Sequence, residues 1–443
     1  MSQKKRIAIV GGGISGLSCA YALRNEANLE VVLFEKEGRI GGHSHSISYT
    51  PKNSDKSFWI DTGFLVFNER TYPRLIQFFD ALKVPVAKSE MSFAVSIPRK
   101  NKAPLEWAGD TINTLFAQRS NLVSWKFWGM VFDIFRFNAL CKKLAKASLT
   151  ENIPEISVED FLKKYRLGLP FRDWYLLPMV GAIWSCTTQE MLKFPIVTLA
   201  QFCENHGLLD IINRPQWFTV QGGSREYVSR VLDKLKEKEI PVLMDGIHYL
   251  TRHANSVDLH LNSGQIRTFD EVVLACHSDE SLSIIQDPSI DEQEILGSIP
   301  YKKNIAYVHC DQTQLPREKK VWAAWNYASN TPVGQGLDDS SAVCVHYLIN
   351  KLQPIPVDLH QHQVIVTLNP HTLPKQDTIF QTIEYSHPMF DTKAIAAQNL
   401  LPNIQGKNKI WYCGAWTGYG FHEDGFKSGE LVANQIIQNA SFT

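Results

Sequence analysis

The sequence has 443 residues, 44% hydrophobic and 20% charged, and its 45 lysines and arginines balance 45 aspartates and glutamates. That length exceeds one ordinary core and suits two or three domains of a globular protein. The zero net charge gives no basic excess for nucleic acid, and no run approaches the roughly 18 apolar residues of a membrane span.

The chain opens MSQKKRIAIVGGG, whose apolar run is only a short strand and lacks a signal-peptide layout. The eight cysteines (Cys19, Cys141, Cys186, Cys203, Cys276, Cys310, Cys344, Cys413) are scattered through mostly apolar runs with no CxxC pair. That usage predicts reduced core thiols in a cytoplasmic protein.

Residues 6–10 (RIAIV) predict a buried strand, and GGGISG follows, with Gly11, Gly13 and Gly16 fitting G-x-G-x-x-G. A helical pattern carrying Leu17, Ala20, Tyr21 and Ala22 comes next, then a second strand, LEVVLF, ending at Glu35. This is the dinucleotide fingerprint in its required strand–helix–strand context. Gly11 allows the tight turn, Gly13 lets a pyrophosphate approach the backbone, and Gly16 lets helix and strand pack closely. The helix N-terminus, at Ile14 and Ser15, offers free N–H groups to phosphate, and Glu35 is placed to accept hydrogen bonds from a ribose diol.

The next residues, EKEGRIGGH, resemble the flavin-containing amine oxidase superfamily, whose fingerprint continues with an acid and then Arg-x-Gly-Gly. The matching positions are Glu35, Arg39, Gly41 and Gly42, with Lys36 between. The resemblance implies non-covalent FAD, with Arg39 facing the pyrophosphate and the Gly41–Gly42 backbone near the flavin. The superfamily usually has Arg after the glycine pair, where this chain has His43. In WIDTGF, Asp61, Thr62 and Gly63 match the superfamily's Asp-x-Gly near the ring.

Between these motifs and residue 209 the chain reads as largely helical, with 3.6 periodicity over Thr111 to Ala147 and Val158 to Tyr165. Within it, Trp125 to Leu140 (WKFWGMVFDIFRFNAL) reads as an amphipathic helix, either a core helix or one that faces a membrane. At 218–232, FTVQGGSREYVSRVL precedes a helix and carries the superfamily's second Gly-Gly at Gly222–Gly223, and DKLKEKE (233–239) is its solvated end. IPVLMDG follows as a strand on which Val242 is the position expected at adenine; FDEVVLAC (269–276) is a further strand. NIAYVHC, SAVCVHYLI and QVIVTLN are strand patterns of a second insert.

The last strand ends at Gly414 and Ala415, and a glycine-rich and aromatic stretch leads into the final helix near Phe421, His422 and Glu423. In the superfamily that helix aims its N-terminus at the flavin, where reduction places negative charge. Phe421 falls where amine oxidases carry a cage tyrosine. The superfamily's lysine on a substrate-domain strand corresponds to Asn304, with Lys303 one residue away and therefore on the other face.

The fold class expected is α/β: a Rossmann-type FAD domain (1–75, 210–285 and 400–443) interleaved with a mixed α+β substrate domain (76–209 and 286–399). Trp184, Trp322, Trp325 and Tyr327 are expected to line a dry pocket, and Asn304, Phe421, Trp325 and Tyr327 are the candidate catalytic set. His346 and His387 are candidate pocket polar groups. The histidine pairs His43/His45 and His360/His362 lack completing ligands, so no metal is expected. WAAWNY, YSHPMFD and GYGFHEDG resemble a bacterial subgroup associated with cyclopropane-fatty-acid-synthase-like methyltransferases. That resemblance implies a fatty acyl substrate, dehydrogenated by hydride transfer to flavin N5. It also implies a lipid methyltransferase partner, and the aromatic-rich helix at 125–140 is compatible with peripheral membrane contact. The alternatives are a flavin amine oxidase and a non-redox, mutase-like FAD protein.

Overall fold

The structure is a computed structural model that describes residues 4–51, 54–151, 153–184, 187–210, 214–335 and 343–441. Its first layer is a five-stranded sheet with the spatial order Val242–Leu243, Leu29–Phe34, Lys5–Val10, Glu271–Leu274 and Ile410–Tyr412. Every neighbouring pair is parallel, so both faces must be covered, which explains the unbroken apolar runs IAIV, VVLF and VVL. Ile7, Ile9 and Leu33 pack on one face with Leu17, Val228, Val231, Ala433 and Ile436 from the helices Ile14–Leu23, Arg225–Glu237 and His422–Ser441. Ala8, Val10 and Val32 pack on the other face with Leu250, Val257 and Leu259 of a small antiparallel sheet. The expected strand IPVLMDG is only the two-residue edge Val242–Leu243, because Pro241 has no N–H to extend the ladder.

The first and last helices lie against each other at van der Waals limits. A Cβ on Gly429 would stand 2.1 Å from Ser15 O; one on Gly16, on the side of the preceding loop, would stand 1.9 Å from Gly11 O. No side chain fits at either position.

The second layer is a seven-stranded sheet ordered Ile379–Pro388, Tyr301–His309, Ile365–Leu368, Cys344–Leu348, Trp325–Ala328, Phe93–Arg99 and Lys102–Ala108. The three strand patterns expected in the second insert lie here, with residues 341–342 outside the described ones. The first insert is not purely helical. Its strands Phe93–Arg99 and Lys102–Ala108 join this sheet, and Phe93–Arg99 pairs in parallel with Trp325–Ala328. Helices follow, packed around Phe127, Phe137, Phe171, Leu199 and Phe202.

The periodic stretch from Thr111 to Ala147 is two helices rather than one. Ile112–Leu115 ends, a tight turn spans Arg119–Val123, and Trp125–Ala147 restarts with Ser124 Oγ accepting from the Phe127 N–H. A serine cap satisfies an N–H that a continuous helix would bond internally. Cys19, Cys141, Cys203, Cys276, Cys310, Cys344 and Cys413 are free thiols, and Cys186 lies outside the described residues.

Candidate active site

Strand Lys5–Val10 delivers the chain into a loop that only glycine can follow. Gly11 has φ +113, donates its N–H to Phe34 O at 2.8 Å, and would place a Cβ 2.9 Å from Ala275 O. A Cβ on Gly13, by contrast, would meet nothing within 4 Å. The backbone there is bare toward a cavity of about 970 Å³, and the helix starting at Ile14 has no side-chain cap on its N–H groups. Glu35 closes the opposite side. It is buried, with Oε2 accepting from Gly12 N and Oε1 from Glu37 N, each at 2.8 Å. Arg39 Nη1 donates to Gly42 O at 2.8 Å and pins the turn in which Gly41 and Gly42 take φ +127 and +56.

The last helix reaches the same cavity from below. Gly414 ends its strand and donates to Ser428 Oγ at 2.9 Å. Asp424 accepts from the N–H groups of Tyr419 (3.0 Å) and Phe421 (3.1 Å), folding the glycine-rich stretch over the helix start, and burial raises its pKa to about 6. His422 stacks on Phe64 with ring centroids 3.8 Å apart, and its Nε2 bonds Ser44 Oγ at 2.7 Å. Burial pushes its pKa down to about 3, so the ring is neutral.

The cradle fits FAD. Open space lies over Gly13, two helix N-termini converge on it, and the Glu35 carboxylate stands at the end of the second strand. His43 lines it, half-buried, and its Nε2 is buried without a hydrogen-bond partner.

The structure brings most of the expected residues to this cavity. Gly11, Gly13, Ile14, Ser15, Glu35, Lys36 and Arg39 line it, as do Gly41, Gly42, His43, Thr62 and Gly63. Gly414, Ala415, Phe421, His422, Trp325, Trp184 and His387 complete the lining among the residues expected there. Phe421 also stacks on Phe202, centroids 5.3 Å apart.

Eight of the residues expected at the site stand back from it. Gly16 serves helix packing alone. Asp61 is a buried clasp, accepting from Ser224 N and Oγ, Ser46 Oγ and Gln353 Nε2, and desolvation still raises its pKa to about 6. Glu423 turns away and accepts from the N–H groups of Arg74 and Leu75, capping the helix Pro73–Ala81. Val242 borders a separate shallow cleft with Ile40, Leu232 and Pro241, since the bend after Leu243 brings Asp245, Gly246 and Ile247 to the main cavity instead. Tyr327 lies two residues beyond Trp325 on the same strand, buried under the helical layer. Asn304 is buried behind the cavity wall and holds His387, which does line it. Trp322 donates to Pro316 O and packs beside Leu315 and Leu348, and His346 is buried on Thr367.

Sequence reasoning missed the cluster around His43. Its ring lies 5.0 Å from Tyr385, 5.3 Å from His387 and 6.2 Å from His277, and Tyr385 OH bonds Thr62 Oγ1 at 2.6 Å. The segment YSHPMFD was the available signal, since Tyr385 and His387 alternate onto one face of their strand. Among the described residues no group of three or more His, Cys, Asp and Glu is arranged to hold a metal.

The parallel sheet, the glycine cradle and the two converging helix ends define a Rossmann-type dinucleotide-binding fold. The family model for an NAD(P)-binding Rossmann-like domain matches residues 9–82. Protoporphyrinogen oxidase 2 (chloroplastic/mitochondrial) of Arabidopsis thaliana is 49% identical over 181 residues, 40% of this chain and 32% of that protein. Polyenoic fatty acid isomerase of Ptilota filicina is 29% identical over 176 residues, 39% of this chain and 34% of that protein. The chain thus spans about a third of the length of these two relatives. Among solved structures, cyclohexylamine oxidase of Brevibacterium oxydans aligns with TM-score 0.66 at 13% identity, covering 99% of this chain and 100% of that one. The fatty acid isomerase of P. acnes that produces CLA aligns with TM-score 0.65 at 14% identity, covering 98% and 99%. These two likenesses show the fold.

Proposed function

We propose that this protein is an FAD-dependent oxidoreductase that dehydrogenates a lipid-like substrate, a fatty acyl chain. The observation that carries this reading is the lining beyond the cradle. Met91, Ile183, Phe202, Leu208, Trp217 and Trp325 form it, and among the described residues no unpaired carboxylate stands there to hold an ammonium group. The acids that do line the cavity are elsewhere. Glu35, Glu37, Asp245 and Glu280 border the dinucleotide end, and Glu384 lies on the outer strand paired with Lys303 at 2.8 Å.

FAD, when bound, supplies the electron acceptor. The chain's own residues supply shape, dryness and fixed dipoles. The aromatic walls exclude water and hold an extended apolar chain. His43, His387 and His422 are kept neutral by burial, so they orient and polarise without adding charge to an apolar site. The backbone N–H groups at the start of the last helix offer a positive dipole end to charge developing above them.

Anaerobic mixing tests the reading. Loss of the visible flavin band with acyl lipids, and not with amines, is the expected outcome. Bleaching by amines alone would turn the assignment to amine oxidation. The likeness to polyenoic fatty acid isomerase favours a second reading, double-bond movement within a polyunsaturated chain. Under that reading the lipid product forms with no net consumption of an external electron acceptor.

A further inference from the structure

The helix Trp125–Ala147 buries one face and leaves another bare. Phe127, Met130, Phe137 and Cys141 point inward, whereas Trp125, Trp128, Phe132 and Phe135 are 78%, 48%, 65% and 54% exposed. Those four positions follow i, i+3, i+7 and i+10, a single stripe down the helix. The turn before the helix extends it, with Leu122 and Val123 exposed, and so does Ile112. A contiguous aromatic stripe in open water is the exception among exposed apolar residues.

The charge around the stripe is one-sided. From Ile112 to Ala147 there are six basic residues, Arg119, Lys126, Arg136, Lys142, Lys143 and Lys146, against the single acid Asp133, in a protein of zero net charge. Asp133 is buried and paired with Arg136 at 2.6 Å. The cations accompany the rings. Lys126 Nζ lies 5.6 Å from the Trp125 ring, and the Arg136 guanidinium 5.8 Å from that of Phe132. Toward its C-terminal end the same stripe carries Lys146 and Lys142, the latter paired with Asp210 at 2.6 Å. Aromatic rings beside flexible cations match the boundary between acyl chains and anionic headgroups, where the rings enter and the cations stay with phosphate.

We propose that this stripe docks the protein on an anionic lipid bilayer, lying in the interface with Trp125, Trp128, Phe132 and Phe135 inserted. Among the described residues no helix is long and apolar enough to cross a membrane, so the attachment is peripheral. The placement suits supply of an apolar substrate. The inner face packs on the helix Ile196–Asn205, whose Phe202 lines the cavity, and Asn138 Nδ2 donates to Leu209 O beside the cavity-lining Leu208. One layer of helices separates the bilayer face from the apolar end of the site. The docking does not rest on the reaction proposed above, and its test does not measure turnover.

The full chain carrying its cofactor is sedimented with vesicles of phosphatidylcholine alone and of phosphatidylcholine with phosphatidylglycerol. The partners are a Trp125→Ser/Trp128→Ser/Phe132→Ser/Phe135→Ser variant and a Lys126→Glu/Lys143→Glu/Lys146→Glu variant. Melting temperature and flavin content are checked in each; flavin content should hold, and any loss of melting temperature should be confined to the aromatic variant, because Trp128 donates to Leu122 O at 2.9 Å and packs on Phe116 while the other altered side chains are solvent-facing. The expected result is binding to the anionic vesicles that weakens by about tenfold or more in both variants. Wild-type protein that ignores both vesicles, or binding that survives the aromatic changes, overturns the proposal. So does a wild-type dimer in light scattering that the aromatic variant dissolves without vesicle binding in either, which would make the stripe a contact between two copies.

Discussion

Asn304 Nδ2 donates to His387 Nδ1 at 2.9 Å, and that bond decides which nitrogen of a cavity-lining imidazole carries the proton. The amide orientation is fixed from the backbone outward. The Ile305 N–H donates to Asn369 Oδ1 at 3.0 Å, Asn369 Nδ2 donates to Asn304 Oδ1 at 2.7 Å, and only Nδ2 of Asn304 is left to face the ring. His387 therefore accepts at Nδ1 and keeps its proton on Nε2.

Replacing Asn304 with Asp reverses the bond, because an ionised carboxylate can only accept. The proton should move to Nδ1 of His387, read as a changed tautomer in nitrogen-15 spectra of the labelled protein. Turnover should fall while flavin content stays within a few per cent. A variant with unchanged tautomer and unchanged turnover would mean that the pair only packs. Asn304→Leu should instead cost about 1–3 kcal/mol of stability, since it leaves His387 Nδ1 without its donor and Asn369 Nδ2 without its acceptor.

Glu35→Ala and Gly13→Val should both deplete FAD, by separate routes. Loss of charged hydrogen bonds costs on the order of 1.5–3 kcal/mol, about tenfold to a hundredfold in affinity. Glu35 also holds Gly12 N and Glu37 N, so the apo form of its variant should melt earlier. The Gly13 Cβ points into open space, so the valine variant should fold and melt as wild type without FAD yet retain almost none of it. Equal flavin content in all three proteins would remove the cradle assignment.

Phe421→Ala should separate substrate handling from cofactor holding. The ring borders the cavity and stacks on Phe202, while the cradle is backbone and Glu35. The cost should fall below the about 3–5 kcal/mol of a fully buried phenylalanine, because one side already faces the cavity. Flavin content should stay near wild type, while reduction by substrate slows as water enters and the chain loses its wall. Flavin loss with a large drop in melting temperature would assign the ring to the core instead.

Stability should fall on acidification below about pH 6.5, and the sign follows from the histidines. Burial holds His45, His206, His309 and His387 at about 4, and His346 and His422 at about 3, below the ordinary value of 6.5. The unfolded chain binds those protons first, so their contribution is present above pH 6.5 and lost toward pH 3 to 4. Asp61 and Asp424, raised to about 6, act oppositely: their contribution is full below 3.8 and lost as pH rises through 6. Six groups outweigh two, so melting temperature measured from pH 7 to 4.5 should decline. A flat or rising profile would mean that the histidines are solvated.

Much of the cofactor side was legible because it rests on backbone, and backbone demands appear in sequence as glycine at fixed spacing. Gly11, Gly13, Gly41 and Gly42 each answer such a demand. The substrate side was less legible because tertiary packing decides which face of a strand meets the cavity. Asn304 and His387 are partners across two strands, Lys302 opposing His387 in the register, and only the paired sheet shows that His387 forms the wall and Asn304 its support. Glu423 misled for a related reason. An acid at a helix start reads as part of the site, but its carboxylate caps a neighbouring helix that lies 348 residues away in sequence at Leu75.

The parallel sheet takes its outer strand, Ile410–Tyr412, from near the end of the described chain, and the helix that follows lies against the first one. During translation the fingerprint at Gly11 to Glu35 emerges early, yet the floor of the groove is written some 400 residues later. Those intervening residues must therefore all be made before the groove exists, and cofactor loading waits for them. Until then an apolar half-built domain waits in the cell, which makes flavin supply and chaperone protection matter most at the moment the helix His422–Ser441 emerges.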